Sequence, residues 1–184
     1  MNLIAIVGMS GSGKSVASDY LENKGYKKIY FGGVVMDKLK EENLEINPDN
    51  ERMMREKLRK EHGMAAMAIV LLPKIEESYK TQNTVLDGLY SWDELLVLKD
   101  KFKDKLKLIC INCDKEIRYE RVGKRDYRPL NREEIEKRDI TEIENLAKGG
   151  PIAFADYYLD NNSTIEAYYK RLEEILDDIE KRGV

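Results

Sequence analysis

The chain has 184 residues, 36% of them charged, and its 32 basic residues nearly balance 35 acidic ones. A net charge of −3 argues against electrostatic binding to nucleic acid or to an anionic membrane. The length suits one substantial core, so we expect a single domain over residues 1–184. Because no apolar stretch is long enough to span a membrane and no signal peptide precedes the first strand, the sequence predicts a cytoplasmic protein.

The first predicted elements are an apolar strand, a glycine-rich loop and a helix. Residues 3–7 read LIAIV, which is typical of a strand buried on both faces of a parallel sheet. Residues 8–15 read GMSGSGKS and match the Walker A pattern G-x-x-x-x-G-K-S. Apolar residues at helical spacing follow from Val16 to Leu21. A chance glycine–serine turn is the alternative, but strand, loop and helix stand in the order that a phosphate-binding P-loop requires.

Each position of this loop has a chemical role. The glycines let backbone amides turn inward around phosphates, and the next helix adds its positive N-terminal end. Lys14 can reach the β and γ phosphates, and the Ser15 hydroxyl is placed to bind Mg²⁺. We therefore expect ATP and Mg²⁺ as cofactors. The nucleotide-binding residues predicted in the loop are Gly8, Ser10, Gly11, Ser12, Gly13, Lys14 and Ser15.

The next segment predicts a short strand followed by helices. Residues 28–31 form the second strand, and a helix follows after Gly32. Asn47 and Pro48 begin a polar helix that continues to about residue 62. The following helix has a core stripe, within which Pro73 should bend or interrupt it. Residues 32–80 are thus predicted to form a helical insert.

A third strand, residues 84–87, ends in Asp87. An acidic residue at the end of a buried strand fits the Walker B role, in which it holds Mg²⁺ directly or through the water shell. A strand that ends in Asp-Gly is also an ordinary turn, so this interpretation depends on the P-loop. Ser91 and Glu94 predict a capping box at the start of the next helix.

The fourth strand ends near Asn112, and a C-x-x-C pair, Cys110 and Cys113, lies at its carboxyl end. A redox pair at the start of a helix is one interpretation, since Asp114 resembles a helix cap. The simpler interpretation is that Cys110 packs in a core strand. No second pair of ligands accompanies the cysteines, which disfavours a metal site.

A basic cluster follows, interrupted by Gly123 and Pro129. Arginines on a closing segment can neutralise charge in phosphoryl transfer while excluding water, so we expect residues 121–138 to form a short lid. Interleaved glutamates make a solvated surface the alternative. The members of the cluster are Arg118, Arg121, Lys124, Arg125, Arg128, Arg132 and Arg138. Arg125 and Arg128 stand out because Asp126 is their only acidic neighbour.

The last elements are a strand at residues 156–159 and a helix opened by Ser163 and Thr164. Strands that alternate with helices along the whole chain predict an α/β fold with a parallel sheet.

The P-loop, the Asp-Gly strand end and the basic cluster together resemble the nucleoside-monophosphate-kinase group of P-loop proteins. The nearest likeness is to adenylate-kinase-related and dephospho-CoA-kinase-like proteins. It rests on residues 8–15, on VLDG at 85–88, on RVGKR at 121–125 and on GGPIAFADYY at 149–158. It implies a P-loop NTPase fold, a three-layer α/β/α sandwich with a five-stranded parallel sheet of order 2-3-1-4-5.

The resemblance also implies roles for the arginines. Arg121 would pack on the ATP base, Arg125 would contact phosphates, and Arg138 would supply a further phosphate contact. Arg121 therefore joins the nucleotide-binding set. Arg125 and Arg138 form the expected catalytic set with Lys14 and Asp87, to which we add Arg128. The activity implied is ATP- and Mg²⁺-dependent phosphoryl transfer to a small phosphorylated acceptor.

The departures from the family pattern fall on the acceptor side, which residues 32–80 would form. Family members carry Gly-Asp and then arginine after the second strand, where this chain has GGVVM at 32–36. The arginine expected after Asp-Gly is also missing, and Leu89, Tyr90 and Ser91 stand in its place. Substitutes on one helix face are Arg52, Arg55 and Arg59, which with Gly32 form the predicted acceptor-binding set. Ordinary ion pairs with neighbouring glutamates are the alternative for these arginines.

Three functions remain open at this point. They are a nucleoside-monophosphate-kinase-like enzyme, a dephospho-CoA kinase, and a regulatory ATP-binding NTPase that transfers to no acceptor. A GTPase is disfavoured because residues 112–115, NCDK, have the wrong order for the N-K-x-D motif. The expected partner is a small-molecule phosphate acceptor, with no nucleic acid and no membrane, and the expected assembly is a monomer or homodimer.

Overall fold

The computed structural model describes residues 1–126 and 128–182, and its strands form one parallel five-stranded sheet. The strands are β1 Leu3–Val7, β2 Lys27–Tyr30, β3 Thr84–Asp87, β4 Leu106–Asn112 and β5 Tyr157–Asp160. Their order is β2-β3-β1-β4-β5, and each neighbouring pair is parallel. The predicted order 2-3-1-4-5 is confirmed. The P-loop strand is central, and β3, which ends in Asp87, lies beside it.

Helices cover both faces of the sheet. They are α1 Lys14–Asn23, α2 Gly33–Glu41, α3 Pro48–His62, α4 Ala66–Thr81, α5 Trp92–Phe102, α6 Lys115–Gly123, α7 Arg132–Leu146, α8 Gly149–Ala153 and α9 Ile165–Arg182. Successive side chains of β1 point to opposite faces. Leu3 and Ala5 enter a core with α2 to α5, whereas Ile4 and Ile6 enter a second core with α1 and α9. This arrangement confirms the predicted three-layer α/β/α sandwich.

Local capping signals behave as the sequence predicts. The Asn47 side chain accepts the amide of Asn50 at 2.9 Å, and Pro48 occupies the first turn of α3. Ser91 and Glu94 form a reciprocal capping box at α5. These contacts satisfy amides that the first helical turn leaves without partners. The starts of α3 and α5 were therefore predictable from neighbouring residues alone, whereas the Asp114 side chain makes no capping hydrogen bond at the start of α6.

Three local predictions differ from the structure. Strand β2 covers Lys27–Tyr30, one residue earlier than predicted. Helix α4 runs through Pro73, so the predicted interruption does not occur. The lost hydrogen bond and ring clash cost about 3 kcal/mol, whereas each fully buried core side chain such as Leu71 or Ile75 contributes about 1.5–3 kcal/mol. Strand β5 begins at Tyr157 rather than at Asp156, whose carboxylate accepts the amide of Leu108 at 2.7 Å.

The predicted insert at residues 32–80 corresponds to α2, α3 and most of α4. These helices bury Val35, Met54 and Leu71 in the same core as the sheet. Within residues 1–126 and 128–182, no helix combines the length and apolarity needed to cross a bilayer.

Candidate active site

The P-loop follows the carboxyl end of β1, and its glycines take a backbone conformation that other residues rarely adopt. Gly11 has φ 81° and Gly13 has φ 101°. A Cβ atom at Gly13 would lie 2.3 Å from Nδ2 of Asn161, and one at Gly11 would lie 2.6 Å from the carbonyl oxygen of Arg118. Both positions therefore require glycine for conformation and for space.

Three distant side chains hold the P-loop from outside through its carbonyl oxygens. The Arg118 guanidinium donates to the Ser10 oxygen at 2.8 Å. Nδ2 of Asn161 donates to the Ser12 oxygen at 2.8 Å, and the Tyr168 hydroxyl donates to the Gly13 oxygen at 3.0 Å. In a trans peptide the N–H points away from the C=O of the same plane. Because these three carbonyl oxygens face the supporting side chains, the N–H groups of the next residues point to the opposite side of the loop, where a phosphate would bind.

A cavity of 390 Å³ opens above the P-loop. It brings together most of the predicted donor-side and catalytic residues: Ser10, Gly11, Gly13, Lys14, Ser15, Asp87, Arg121, Arg125 and Arg138. Gly8 and Ser12 belong to the loop but do not line the cavity. A larger groove, 690 Å³, lies between α6 and α7 and shares none of its lining residues with the P-loop cavity.

Positive charge is concentrated around Lys14. Its Nζ donates to the carbonyl oxygen of Met9 at 2.9 Å. Burial of the ammonium and the nearby charge of Lys148 lower the pKa of Lys14 to about 7, against the opposite effects of Glu142 and Asp87. An anionic ligand would relieve this crowding of cations.

Asp87 and Ser15 supply the oxygen donors. Oδ2 of Asp87 accepts from the Ser18 hydroxyl at 3.1 Å and lies 3.8 Å from Nζ of Lys28. Burial raises the pKa of Asp87, although the Ser18 hydrogen bond and the Lys28 charge oppose the rise. Ser15 is exposed in the first turn of α1 and lines the same cavity. A carboxylate and a hydroxyl fit Mg²⁺, which prefers oxygen ligands and keeps waters and substrate phosphates in its other positions.

Three arginines of the predicted lid line this cavity: Arg121, Arg125 and Arg138. Arg125 is largely exposed, but partial loss of water and the charge of Arg138 lower its pKa. Nε of Arg138 donates to Oε1 of Glu142 at 3.0 Å. Burial opposes the charged form of Arg138, yet the Glu142 carboxylate raises its pKa. Arg121 lines the cavity and donates to Sγ of Cys113 at 3.3 Å.

Arg128 lies outside the lining of the P-loop cavity. Its guanidinium makes two contacts with the carboxylate of Glu51 on α3, at 2.9 and 3.3 Å. Arg55 also contacts Glu51, at 3.5 Å. Hydrogen bonding from Arg128 lowers the pKa of the buried Glu51, against the effect of burial. Arg128 thus joins the segment after α6 to α3, and its predicted catalytic role stays a prediction.

The predicted acceptor residues are not brought to the cavity. Arg52 is exposed and lies 3.9 Å from Asp49, and Arg55 is engaged with Glu51, as the ion-pair alternative predicts. Arg59 is half-buried on the same helix, outside the cavity lining. Gly32 caps α2, where a Cβ atom would lie 2.4 Å from the ring of Tyr30.

Comparison with known proteins identifies the family. A family model described as an AAA domain matches residues 4–143. A UPF0200 protein of Sulfurisphaera tokodaii is 35% identical over 185 residues, which cover 97% of this chain and 98% of that protein. A UPF0200 protein of Thermococcus kodakarensis is 30% identical over 182 residues, covering 96% and 97%. The chain belongs to the UPF0200 family.

Solved structures of low sequence similarity share the fold of this UPF0200 chain. TT1252 from Thermus thermophilus has a TM-score of 0.62 at 18% identity and covers 97% of each chain. A shikimate kinase from Bacteroides thetaiotaomicron has a TM-score of 0.60 at 13% identity, covering 97% of this chain and 98% of that one. A gluconokinase from Sinorhizobium meliloti scores 0.57 at 14% identity, covering 100% and 98%. The P-loop kinase-like fold implied by the resemblance is therefore confirmed.

Three residues of the UPF0200 cavity were missed by the sequence analysis: Tyr30, Tyr90 and Lys148. Tyr90 occupies the stretch where the resemblance expects an arginine, so its position was a signal. Lys148 had none, because it precedes Gly149 in a segment without a charge pattern. Arg118, a member of the basic cluster, is buried against Asp139 and supports the P-loop.

The two cysteines are free thiols. Cys110 is buried in β4, and its thiol donates to Oδ1 of Asn112 at 3.3 Å. Burial raises the pKa of Cys110 to about 11 and also raises that of Cys113. A redox pair needs a thiolate near neutral pH, so the structure favours the packing interpretation.

Proposed function

We propose that this protein catalyses ATP- and Mg²⁺-dependent phosphoryl transfer to a small-molecule acceptor. The observation that carries the proposal is the convergence of Lys14, Asp87, Arg125 and Arg138 on the cavity above the P-loop. Phosphoryl transfer asks for positioning and charge neutralisation rather than covalent chemistry from the protein. These residues supply both.

The donor half would bind the nucleotide in the usual P-loop manner. Amides of the loop and Lys14 would hold the β and γ phosphates, and Arg121 would lie toward the base. Ser15 and Asp87 would hold Mg²⁺, which when bound neutralises charge on the β and γ oxygens. The outward-held carbonyls fix the loop before the ligand arrives, which reduces the ordering cost of binding.

The acceptor would be nucleotide-like, but AMP should be a poor one. A guanidinium grips a phosphate through two parallel hydrogen bonds. Tyr90 and Met36 stand where the family's arginines are expected, and neither side chain can make that contact. Dephospho-CoA, which offers a ribose hydroxyl, is the second candidate.

An acceptor panel tests the proposal. ADP release from Mg·ATP would be measured with AMP, CMP, UMP, dTMP and dephospho-CoA. We expect acceptor-dependent release with one of the non-AMP compounds. Lys14→Ala should abolish it, whereas Lys24→Ala, at the far end of the same helix, should not. Efficient turnover of AMP that Arg59→Ala leaves unchanged would contradict the acceptor argument.

A regulatory ATP-binding NTPase is the candidate from another class. It is favoured by the engagement of Arg55 and Arg128 with Glu51, which leaves the acceptor side without an arginine clamp among the described cavity residues. Tight ATP binding without turnover on any acceptor would favour the regulatory NTPase over an enzyme that transfers phosphate.

A further inference from the structure

We propose that Lys148 is a catalytic residue that contacts the γ-phosphate of the bound nucleoside triphosphate. This inference rests on the proposed function and adds to it a residue that neither the P-loop motif nor the family resemblance assigns. The supporting observation is that Lys148 is buried and yet lines the cavity above the P-loop.

Lys148 is held in place by two contacts. Its side chain is only 1% exposed, and its ammonium pairs with the carboxylate of Glu142. The same ammonium lies 4.5 Å from the centre of the Tyr90 ring. Burying an ammonium costs several kcal/mol unless close partners compensate. The burial of Lys148 therefore indicates a role other than packing.

The partner of Lys148 is shared. Glu142 also accepts from Nε of Arg138 at 3.0 Å, so the buried Lys148 shares its carboxylate with the partly exposed Arg138. Among the residues that the structure describes, five basic side chains but one carboxylate, that of Asp87, line the cavity. The cations are Lys14, Arg121, Arg125, Arg138 and Lys148. This excess of positive charge fits a polyanionic ligand, which would supply the missing negative charge.

The neighbours of Lys148 indicate which phosphate it meets. Among the charged groups around Lys14, Lys148 has the largest effect on the pKa of Lys14. Lys14 is the residue that reaches the β and γ phosphates in a P-loop. Tyr90 follows the strand that ends in Asp87, on the side assigned to the acceptor. Lys148 therefore lies where the donor and acceptor halves meet, which is the position of the γ-phosphate.

The role requires no proton transfer from Lys148. The acceptor oxygen forms a bond to the γ phosphorus as the bond between that phosphorus and the β–γ bridging oxygen breaks. ADP leaves with the electron pair of that bond, and the proton of a hydroxyl acceptor passes to water. Burial lowers the pKa of Lys148, but the Glu142 carboxylate favours its ammonium form, and in that form Lys148 would neutralise charge on the γ oxygens during the transfer.

Binding of two nucleotides separates this role from a general effect on the fold. Dissociation constants for Mg·ADP and for the non-hydrolysable triphosphate Mg·AMP-PNP would be measured for the wild type and Lys148→Met. We expect about 10–100-fold weaker AMP-PNP binding, as for a lost charged hydrogen bond, and ADP binding within about 2-fold, because ADP lacks the γ-phosphate. Lys107→Met, at the amino end of β4 and away from the P-loop, is the matched control.

Variants that keep or remove the buried pair make the result decisive. Lys148→Arg retains the charge and should recover part of the preference for AMP-PNP. If Lys148→Met does not fold, the double variant Lys148→Met/Glu142→Gln removes both charges and should show the same selective loss. Equal losses for both nucleotides, or no loss, would overturn the role of Lys148 while leaving the kinase proposal intact. A wild type that binds neither nucleotide would overturn both.

Discussion

Nη1 of Arg118 donates a 2.8 Å hydrogen bond to the carbonyl oxygen of Ser10, in the middle of the P-loop. Nη2 of the same guanidinium pairs with Asp139 at 2.8 Å, and both side chains are buried. One side chain thus ties the loop to α6, which carries Arg118, and to α7, which carries Asp139. The conformation of the P-loop depends on how these helices pack.

Replacing Arg118 should therefore affect both stability and nucleotide binding. In Arg118→Met the buried Asp139 loses its charged partner, which should lower the free energy of unfolding by about 3–5 kcal/mol. ATP affinity should fall as well, because the Ser10 carbonyl is no longer held outward. Denaturant unfolding and ATP titration measure the two effects.

Arg132→Met is the matched control for this experiment, since Arg132 pairs with Glu116 on the exposed surface of the same two helices. It should change neither quantity measurably. The double variant Arg118→Met/Asp139→Asn should recover part of the stability but not the ATP affinity. Wild-type affinity in Arg118→Met would show that the loop holds its shape without this contact.

Lys14→Ala should abolish ATP-dependent activity while leaving thermal unfolding nearly unchanged. Its ammonium contacts only the carbonyl oxygen of Met9 among the hydrogen bonds described for it, and it faces the cavity rather than either core. ATP titration and a thermal melt on the same preparation check the two halves of the prediction. A variant with wild-type ATP affinity and turnover would contradict the assignment of residues 8–15 as a P-loop.

Arg125→Ala should lower kcat more than it weakens ATP binding, because its contacts should strengthen in the transition state. Loss of one such donor typically costs about 10²–10³-fold in kcat. Steady-state kinetics with the best acceptor from the panel measure the effect. Lys124→Ala, whose side chain is exposed and paired with Glu120, should turn over normally. Normal turnover of Arg125→Ala would mean that Arg125 is only a solvated surface residue.

Arg128→Ala should also lower kcat, but its effect should depend on Glu51, which it contacts in the structure. The effects of Arg128→Ala and Glu51→Gln on kcat should then be non-additive in the double variant, because each single change breaks the same pair. A full set of four rate measurements tests this. Additive effects would instead show that Arg128 acts independently of Glu51.

Cys110 should resist thiol reagents in the native protein. Its pKa of about 11 leaves it protonated below that pH, so at pH 8 the thiolate fraction is about 10⁻³. Alkylation followed by mass spectrometry should modify Cys110 only after the chain is unfolded, when both cysteines react. A disulfide between Cys110 and Cys113 that forms readily in the native protein would restore the redox interpretation.

The sequence determined the features that depend on neighbouring residues. The apolar run at residues 3–7, the glycines of the P-loop and the caps at Asn47 and Ser91 each impose a local conformation, and the structure contains each of them. Together with the family resemblance they predicted the sheet order and the donor half of the cavity. Pro73 shows the limit of local reasoning, since burial of α4 outweighs the helix-breaking residue within it.

Only the tertiary structure decided which basic side chains line the cavity and which support it. Arg118, Arg128 and Lys148 carry the same charge in the sequence, yet each pairs with a different carboxylate: Asp139, Glu51 and Glu142 respectively. The Arg128 pair joins residues 77 positions apart. Charge alone does not specify such partners, because the energy of an ion pair depends on distance and burial, and both are set by how the helices pack.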